Sequence, residues 1–102
     1  MRLARQRDKD RCQITGQKCT RSKPIDLTGH HIFSKQHYLD MATSTDNLIT
    51  LTEPVHREFH TWNGGVNKPC TIDGLIQFVN ELYPEQEEAS FKLNQIKKKL
   101  GQ

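Results

Sequence analysis

The sequence predicts an α+β fold: a small β-hairpin followed by a helix that carries two histidines, with a basic N-terminal loop region before it and two helices after it. Residues 27–33 and 48–51 are rich in β-branched and apolar side chains, which is typical of short strands. The polar residues 34–46 between them are expected to form a loop with at most one helical turn. Residues 52–65 have the capping residues and apolar spacing of a helix. Residues 70–100 contain two further amphipathic stretches at helical spacing.

The length and composition indicate one small domain. A chain of 102 residues, 33% hydrophobic and 26% charged, can bury one core of limited size. We expect a basic N-terminal region over residues 1–25, the hairpin and its helix over residues 26–65, and a helical scaffold over residues 70–100. The chain has no apolar run of about 18 residues and no N-terminal secretory signal. These absences predict a protein without a membrane segment, located in the cytoplasm or exported by another route.

Positive charge is concentrated in the first quarter of the chain. Residues 1–25 contain eight Lys and Arg against two Asp, a net charge of +6, whereas the whole chain carries +3. This region is expected to be rich in loops, with a short helix near its start. A basic segment fits a partner with a phosphate backbone, although a solvated chain terminus has the same composition.

The helix that follows the second strand has clear boundaries. Thr52 is a suitable N-cap and Pro54 fits the first turn, where its missing N–H costs little. Gly64 and Gly65 end the helix. Apolar side chains recur at i, i+4 and i+7 and predict the face that packs on the core: Val55, Phe59 and Trp62.

The C-terminal third predicts a scaffold of two helices. Thr71 caps the first, and Pro84 is expected to open the second. The apolar face of the first comprises Ile72, Leu75, Ile76, Val79 and Leu82. The apolar face of the second comprises Ala89, Leu93, Ile96 and Leu100.

Four of the five histidines form two pairs, and these are the most informative residues of the chain. His56 and His60 are one helical turn apart, so both imidazoles share a helix face and can bind one metal ion. His30 and His31 are adjacent at the end of a strand, where successive side chains point to opposite faces. One ring could complete the metal site while the other stays free for proton transfer. Such a site suits metal-assisted phosphodiester hydrolysis. The residue after His56 is Arg57, so the helix lacks the glutamate of the zinc-protease motif.

Several segments have the spacing of a known family. They are Arg7-Asp8-Lys9-Asp10-Arg11-Cys12-Gln13-Ile14-Thr15-Gly16, Gly29-His30-His31-Ile32, Asp46-Asn47-Leu48-Ile49-Thr50-Leu51, and His56 nine residues after Asn47. Residues 7–62 resemble the HNH endonucleases, whose shared core is the ββα-metal fold. The tandem histidines and the additional His60 are most similar to the variant found in nuclease colicins.

The resemblance implies a role for each matching residue. His31 matches the general base, and Asn47 matches the residue that ties the loop so that the base is oriented. One divalent ion (Mg, Mn, Ni or Zn) would be held by His30, His56 and His60. DNA is the implied partner, and the candidates for phosphate contacts are Arg5, Arg7, Lys35 and Arg57. Action as a homodimer or within a larger host assembly stays open.

The chain also departs from the family. Many HNH proteins have a structural zinc held by two C-x-x-C pairs, but here only Cys12 remains, and Thr15, Thr52 and Val55 occupy the other positions. We therefore expect packing to replace this zinc. The cysteine count of three is odd and no C-x-x-C occurs, which predicts reduced thiols, although Cys19 and Cys70 could rebuild a site with Cys12.

The sequence thus predicts a metal-dependent endonuclease that hydrolyses DNA phosphodiester bonds. One alternative is a noncatalytic nucleic-acid-binding module that keeps the ββα-metal fold, and an intact His31 argues against it. A second alternative is an interaction domain with a purely structural metal site. The chain has no zinc finger, helix-turn-helix pattern or run of stacking aromatic residues, so sequence specificity and the choice of DNA over RNA stay open.

Overall fold

The computed structural model describes residues 2–34, 38, 40 and 44–101. Over this part of the chain it has the predicted α+β composition, with one two-stranded antiparallel sheet and four α-helices. The elements in chain order are α1 (Arg2–Arg7), β1 (Leu27–His31), a 3₁₀ turn (Thr45–Asn47), β2 (Leu48–Thr52), α2 (Glu53–Trp62), α3 (Ile72–Leu82) and α4 (Glu87–Lys99).

The hairpin is the platform on which the rest of the chain packs. β1 and β2 are paired along their full lengths, with His30 opposite Ile49. The second edge of β2 is also occupied, because the Gln13 amide donates to the Thr50 carbonyl at 2.9 Å and the Asp8 carboxylate accepts the Thr50 N–H at 3.0 Å. The short sheet is therefore bonded on both sides of β2, which removes an open edge.

The N-terminal region contains α1, the short helix expected near its start, followed by a tight loop over residues 8–19. Within this loop the Cys12 amide donates to the Gln17 carbonyl and the Cys19 amide donates to the Asp10 carbonyl, each at 2.9 Å. Gly16 adopts φ +76°, a left-handed conformation that a residue without a Cβ accepts at little cost.

The boundaries predicted for α2 are confirmed. Thr52 is at the N-cap position in extended conformation, but its side chain makes no capping bond and its hydroxyl instead donates to the Cys12 sulfur at 3.9 Å. Val55 and Phe59 are buried and Trp62 is half-buried, which confirms the predicted apolar stripe.

α3 begins as predicted, and its apolar face differs in two residues. The Thr71 hydroxyl accepts the Gly74 N–H at 3.0 Å, so the predicted cap is present. Phe78, absent from the predicted face, is completely buried, whereas Leu82 is 45% exposed. The difference arises because Phe78 packs against the aromatic ring of Phe59 on α2, 5.3 Å away between centroids.

The start predicted for α4 at Pro84 is wrong, because the helix begins at Glu87. The Gln86 amide donates to the Tyr83 carbonyl at 2.9 Å, which closes a turn over Pro84 before the helix begins. The predicted stripe of α4 is confirmed in its first half, since Ala89 and Leu93 are buried, while the later members are half-buried.

One hydrophobic core joins the hairpin to all three following helices. Its largest completely buried side chains are Phe59, Phe78, Ile14, Ile32, Ile49, Leu51, Ile72, Leu75 and Leu93. None of the described helices has the length and apolarity needed to cross a bilayer.

The three cysteines are free thiols, as predicted. Cys12 is buried beside Thr52. Burial by itself raises the pKa of its thiol, but hydrogen bonds with Thr15 and the backbone outweigh burial, so the pKa is lowered. Among the described residues no cysteine belongs to a group that could hold a metal.

Candidate metal centre

Three histidines from two elements converge between the hairpin and α2. One ring nitrogen from each of His30, His56 and His60 lies within 4.8 Å of the other two, so the three could hold one metal ion. The ring centroids are 5.2 Å apart for His30 and His56, 5.5 Å for His30 and His60, and 4.6 Å for the helical pair. These are the three residues that the sequence predicted as ligands.

The local structure explains the convergence. Side chains alternate along β1, and the face that carries His30 is turned toward α2. On α2, His56 and His60 are four residues apart and lie one above the other. Phe59 is completely buried next to them, with its ring centroid 5.0 Å from that of His30. The packed phenylalanine fixes the distance between the helix and the strand.

His30 is held in the neutral form that binds metals. Burial lowers the pKa of His30 to about 3, and the nearby His56, His60 and His31 lower it in the same direction. Its Nε2 atom is buried with no hydrogen-bond partner in the described structure. A buried polar atom without a partner is costly, and a metal ion would satisfy such a lone pair.

The helical pair also has a spacing that suits a shared ion. The Nε2 atoms of His56 and His60 are 3.1 Å apart, close to the roughly 3.3 Å between two nitrogens that are both 2.0–2.1 Å from one tetrahedral metal. Burial lowers the pKa of both rings, and the neighbouring His60 adds to the effect on His56. The Nδ1 atom of His56 lies 4.0 Å from the Glu53 carboxylate, which opposes that lowering. A carboxylate on the outer side of a ligating imidazole is a common support of metal sites.

His31 is separate from this trio. It follows His30 on β1, so strand alternation directs its ring to the other face of the hairpin, and the residue is half-buried. It is absent from the group whose nitrogens converge. The structure thus leaves this imidazole accessible to solvent next to a candidate metal site.

Asn47 is completely buried and ties together the two ends of the loop between the strands. Its Oδ1 accepts the Phe33 N–H at 2.8 Å, and its Nδ2 donates to the Phe33 carbonyl at 2.9 Å. The Asn47 carbonyl also accepts the Ile32 N–H at 2.8 Å. These three bonds hold the two residues that directly follow His31, so the amide fixes the backbone on which that histidine is mounted.

A further pair of bonds holds the same segment from its other side. The Ser34 amide donates to the Cys70 carbonyl at 3.2 Å, and the Cys70 amide donates to the Ser34 hydroxyl at 3.1 Å. No sequence pattern predicted this contact, because the two residues are 36 positions apart and neither belongs to a motif.

The four predicted phosphate contacts have different surroundings. Arg5 bonds to Asp10 at 3.0 Å, and Arg57, whose side chain is 74% exposed on α2 next to His56, bonds to Glu53 at 2.8 Å. Arg7 donates to acceptors within the protein. Lys35 lies outside the described residues. The structure does not gather the described three into one patch at the histidines.

Comparison with protein-family models, with curated proteins and with solved structures found no match to this chain. The interpretation of the site therefore depends on the chemistry of its own residues.

Proposed function

We propose that this chain is a metal-dependent endonuclease of the HNH type, in which β1, β2 and α2 form the ββα-metal core. The observation that carries the proposal is the convergence of His30, His56 and His60 on one point, with His31 beside them on the opposite face of the strand. Three neutral imidazoles leave positions open for water and for a phosphate oxygen on a zinc-like ion. This combination of an open metal site and a separate imidazole suits phosphodiester hydrolysis.

His31 is the proposed general base. A half-buried, solvent-accessible imidazole can accept a proton from a water molecule, and that water then attacks the scissile phosphorus in line with the leaving oxygen. Asn47 contributes by holding Ile32 and Phe33, which prevents the strand end from fraying and keeps the His31 ring in one place.

The proposed binding site for one divalent ion is the trio His30, His56 and His60. When bound, the ion would supply positive charge that offsets the negative charge developing on the phosphate and on the leaving oxygen. The protein contributes a rigid binding site, because the packed ring of Phe59 holds the helix beside the strand.

DNA is the proposed substrate, and Arg57 is the described basic residue best placed to contact its backbone near the site. It follows His56 on α2 and is exposed, with Glu53 as its partner. Phosphate contacts of this kind position a nucleic acid without reading its sequence.

Cleavage of a supercoiled plasmid tests the proposal. The protein is stripped with EDTA, and Mg²⁺, Mn²⁺, Ni²⁺ or Zn²⁺ is then added to wild type and to His31→Ala. We expect metal-dependent nicking or linearisation by wild type and a loss of about 10²- to 10⁴-fold in His31→Ala, the usual contribution of a general base.

Metal loading of both proteins is the control. A His31→Ala protein that binds metal and cleaves at the wild-type rate would overturn the assignment of the base. A folded, metal-loaded wild type that cleaves neither DNA nor RNA with any metal would instead support a noncatalytic module.

A further inference from the structure

Arg7 makes an unusually complete set of contacts for a residue in a basic N-terminal segment. Its guanidinium donates to both oxygens of the neighbouring Asp8, at 2.8 and 2.9 Å. It also donates to the Thr45 carbonyl at 2.9 Å and to the Leu48 carbonyl. Four of its five N–H groups therefore have acceptors inside the protein.

The two carbonyls lie at the two ends of the short segment that contains Asn47. Thr45 begins the 3₁₀ turn and Leu48 begins β2, so the guanidinium spans the short segment that contains Asn47. The residues it joins are 38 and 41 positions away from Arg7 in the sequence. The arginine acts as a brace across the turn from which the buried asparagine extends.

Asp8 anchors this brace to the sheet. Its side chain is only 7% exposed, and the oxygen that accepts from Arg7 Nη2 also accepts the Thr50 N–H at 3.0 Å. Bidentate pairing with a buried carboxylate fixes the plane of the guanidinium as well as its position. The guanidinium of Arg7 is thereby oriented toward the two carbonyls.

These bonds form a continuous path to the proposed base. Asp8 holds Arg7, Arg7 holds both ends of the turn, and Asn47 within that turn holds the backbone of Phe33. Phe33 is two residues after His31. A change in the path would shift the strand end on which the imidazole is mounted without removing any group that contacts the metal or the substrate.

We propose that Arg7 is a positioning residue of the proposed nuclease, which acts through Asn47 on His31 and does not contact DNA. The inference rests on the proposed function and specifies how its base is held. It also differs from the sequence-based prediction, which placed Arg7 among the phosphate contacts.

Arginine and lysine differ in a way that separates the two roles. Lysine keeps the positive charge that a phosphate contact needs, but its single ammonium cannot bridge a carboxylate and two carbonyls in one plane. A phosphate contact should therefore tolerate Arg7→Lys, whereas a brace should fail with it. Arg2→Lys is the matched control, because Arg2 is an exposed arginine on the same helix.

The experiment compares wild type, Arg7→Lys, Arg7→Gln and Arg2→Lys in plasmid cleavage under metal-saturated conditions. We expect both Arg7 variants to lose about 10- to 100-fold in kcat, the usual effect of removing an outer support of a site. We expect the KM for DNA, the salt dependence of DNA binding and the metal affinity to stay at wild-type values. Arg2→Lys should match wild type in every measurement.

Three outcomes overturn the proposal. A raised KM with a salt slope reduced by about one in Arg7→Gln, and near-normal activity in Arg7→Lys, would assign Arg7 to a phosphate contact. Wild-type kcat in both Arg7 variants, with only a lower Tm, would make the brace purely structural. A large loss of metal affinity would show that the path acts on the metal trio.

Amide hydrogen exchange measured by NMR separates this inference from the proposed function. In Arg7→Lys the exchange of the Phe33 and Asn47 backbone amides should accelerate, while amides of α3 should be unchanged. If wild type has no nuclease activity but this pattern appears, the brace is present and the proposed function is wrong. If the exchange of the Phe33 amide is unchanged in Arg7→Lys, the proposed link from Arg7 to Phe33 is wrong, whether or not the protein cleaves DNA.

Discussion

At the scale of single residues, the neighbouring histidines His30 and His31 differ because of what surrounds each ring. His30 is 2% exposed and packed against the aromatic ring of Phe59, so it is held neutral. His31 is half-buried on the other face of the same strand. Strand alternation thus gives two identical side chains different surroundings, which fit the metal-ligand role proposed for His30 and the base role proposed for His31.

Removing one histidine of the trio should abolish tight metal binding. We expect His60→Ala to weaken Zn²⁺ affinity by more than about 100-fold, since removing even an outer support of a metal site costs 10- to 100-fold. Isothermal titration calorimetry with a competing chelator measures the change. His31→Ala is the comparison, and equal losses in both variants would contradict the division of roles.

Part of the pH dependence of the metal-free protein follows from His30. The pKa of His30 falls from its ordinary 6.5 to about 3 on folding, first because of burial and then because of the nearby His56, His60 and His31. Between these values the unfolded chain binds a proton that the folded chain does not. Stability is therefore full above pH 6.5 and declines as the pH falls toward 3, with a slope of about 1.4 kcal/mol per pH unit for one group.

Urea denaturation of wild type and His30→Asn in EDTA, between pH 7 and pH 4, measures that slope. The part due to His30 should be missing in His30→Asn. Parallel pH profiles for the two proteins would show that the buried imidazole does not govern acid sensitivity.

At the scale of elements, α2 carries two of the three candidate metal ligands and is fixed to the scaffold by polar as well as apolar contacts. The Trp62 indole donates to the Glu81 carboxylate on α3 at 2.7 Å. The hydroxyl of Tyr83, just after α3, donates to the Glu58 carboxylate on α2, and burial together with Glu58 raises the pKa of Tyr83 to about 12. The C-terminal helices thus hold in place the helix that carries two of the candidate ligands.

Phe59→Ala should damage both stability and the site, because this ring joins α2 to the core and contacts His30. We expect a loss of about 3–5 kcal/mol in the free energy of unfolding, as for other buried aromatic truncations, together with weaker metal binding. Phe91→Ala is the matched control, since Phe91 on α4 is 65% exposed and should change stability by no more than about 0.5 kcal/mol. Urea denaturation and metal titration measure both effects, and normal metal affinity in a folded Phe59→Ala protein would contradict the anchoring role.

At the scale of the whole molecule, the candidate site joins parts of the chain that must fold before they meet. His30 is on the hairpin, and the other two candidate ligands are on a helix that begins 23 residues later, at Glu53. A metal that binds all three favours the folded state over the unfolded state. Metal binding and folding should therefore be coupled.

Metal removal should lower the melting temperature. At free Zn²⁺ of 100 times Kd, one site adds about 2.7 kcal/mol to stability, which for a domain of this size raises Tm by roughly 10–20 °C over the EDTA-treated protein. Differential scanning fluorimetry measures the shift. The triple variant of His30, His56 and His60 to Ala should show none, and a shift of wild-type size in that variant would place the metal elsewhere.

Local spacing predicted most of the elements and the helical pair of the candidate site, whereas the choice of His30 over His31 as the third candidate ligand came from the family resemblance. Strand composition predicted the hairpin, the positions of Val55 and Phe59 predicted the buried face of α2, and the i, i+4 relation of His56 and His60 predicted one shared face. Where a local rule admits more than one outcome, the prediction failed: Pro84 tolerates a turn as well as a first helical turn, and α4 begins three residues after it.

Contacts between distant residues depend on the packing of the whole chain. The bonds of Arg7 with Thr45 and Leu48 connect parts of the chain about 40 residues apart, and no local pattern encodes such a pair. From composition an arginine in a basic segment is a charge facing solvent. In the folded chain the Arg7 side chain stays 35% exposed, but its donors are held by a buried carboxylate and two carbonyls. Side-chain periodicity is a property of neighbouring residues, but hydrogen-bond partners across a fold depend on how the packed core orients each segment.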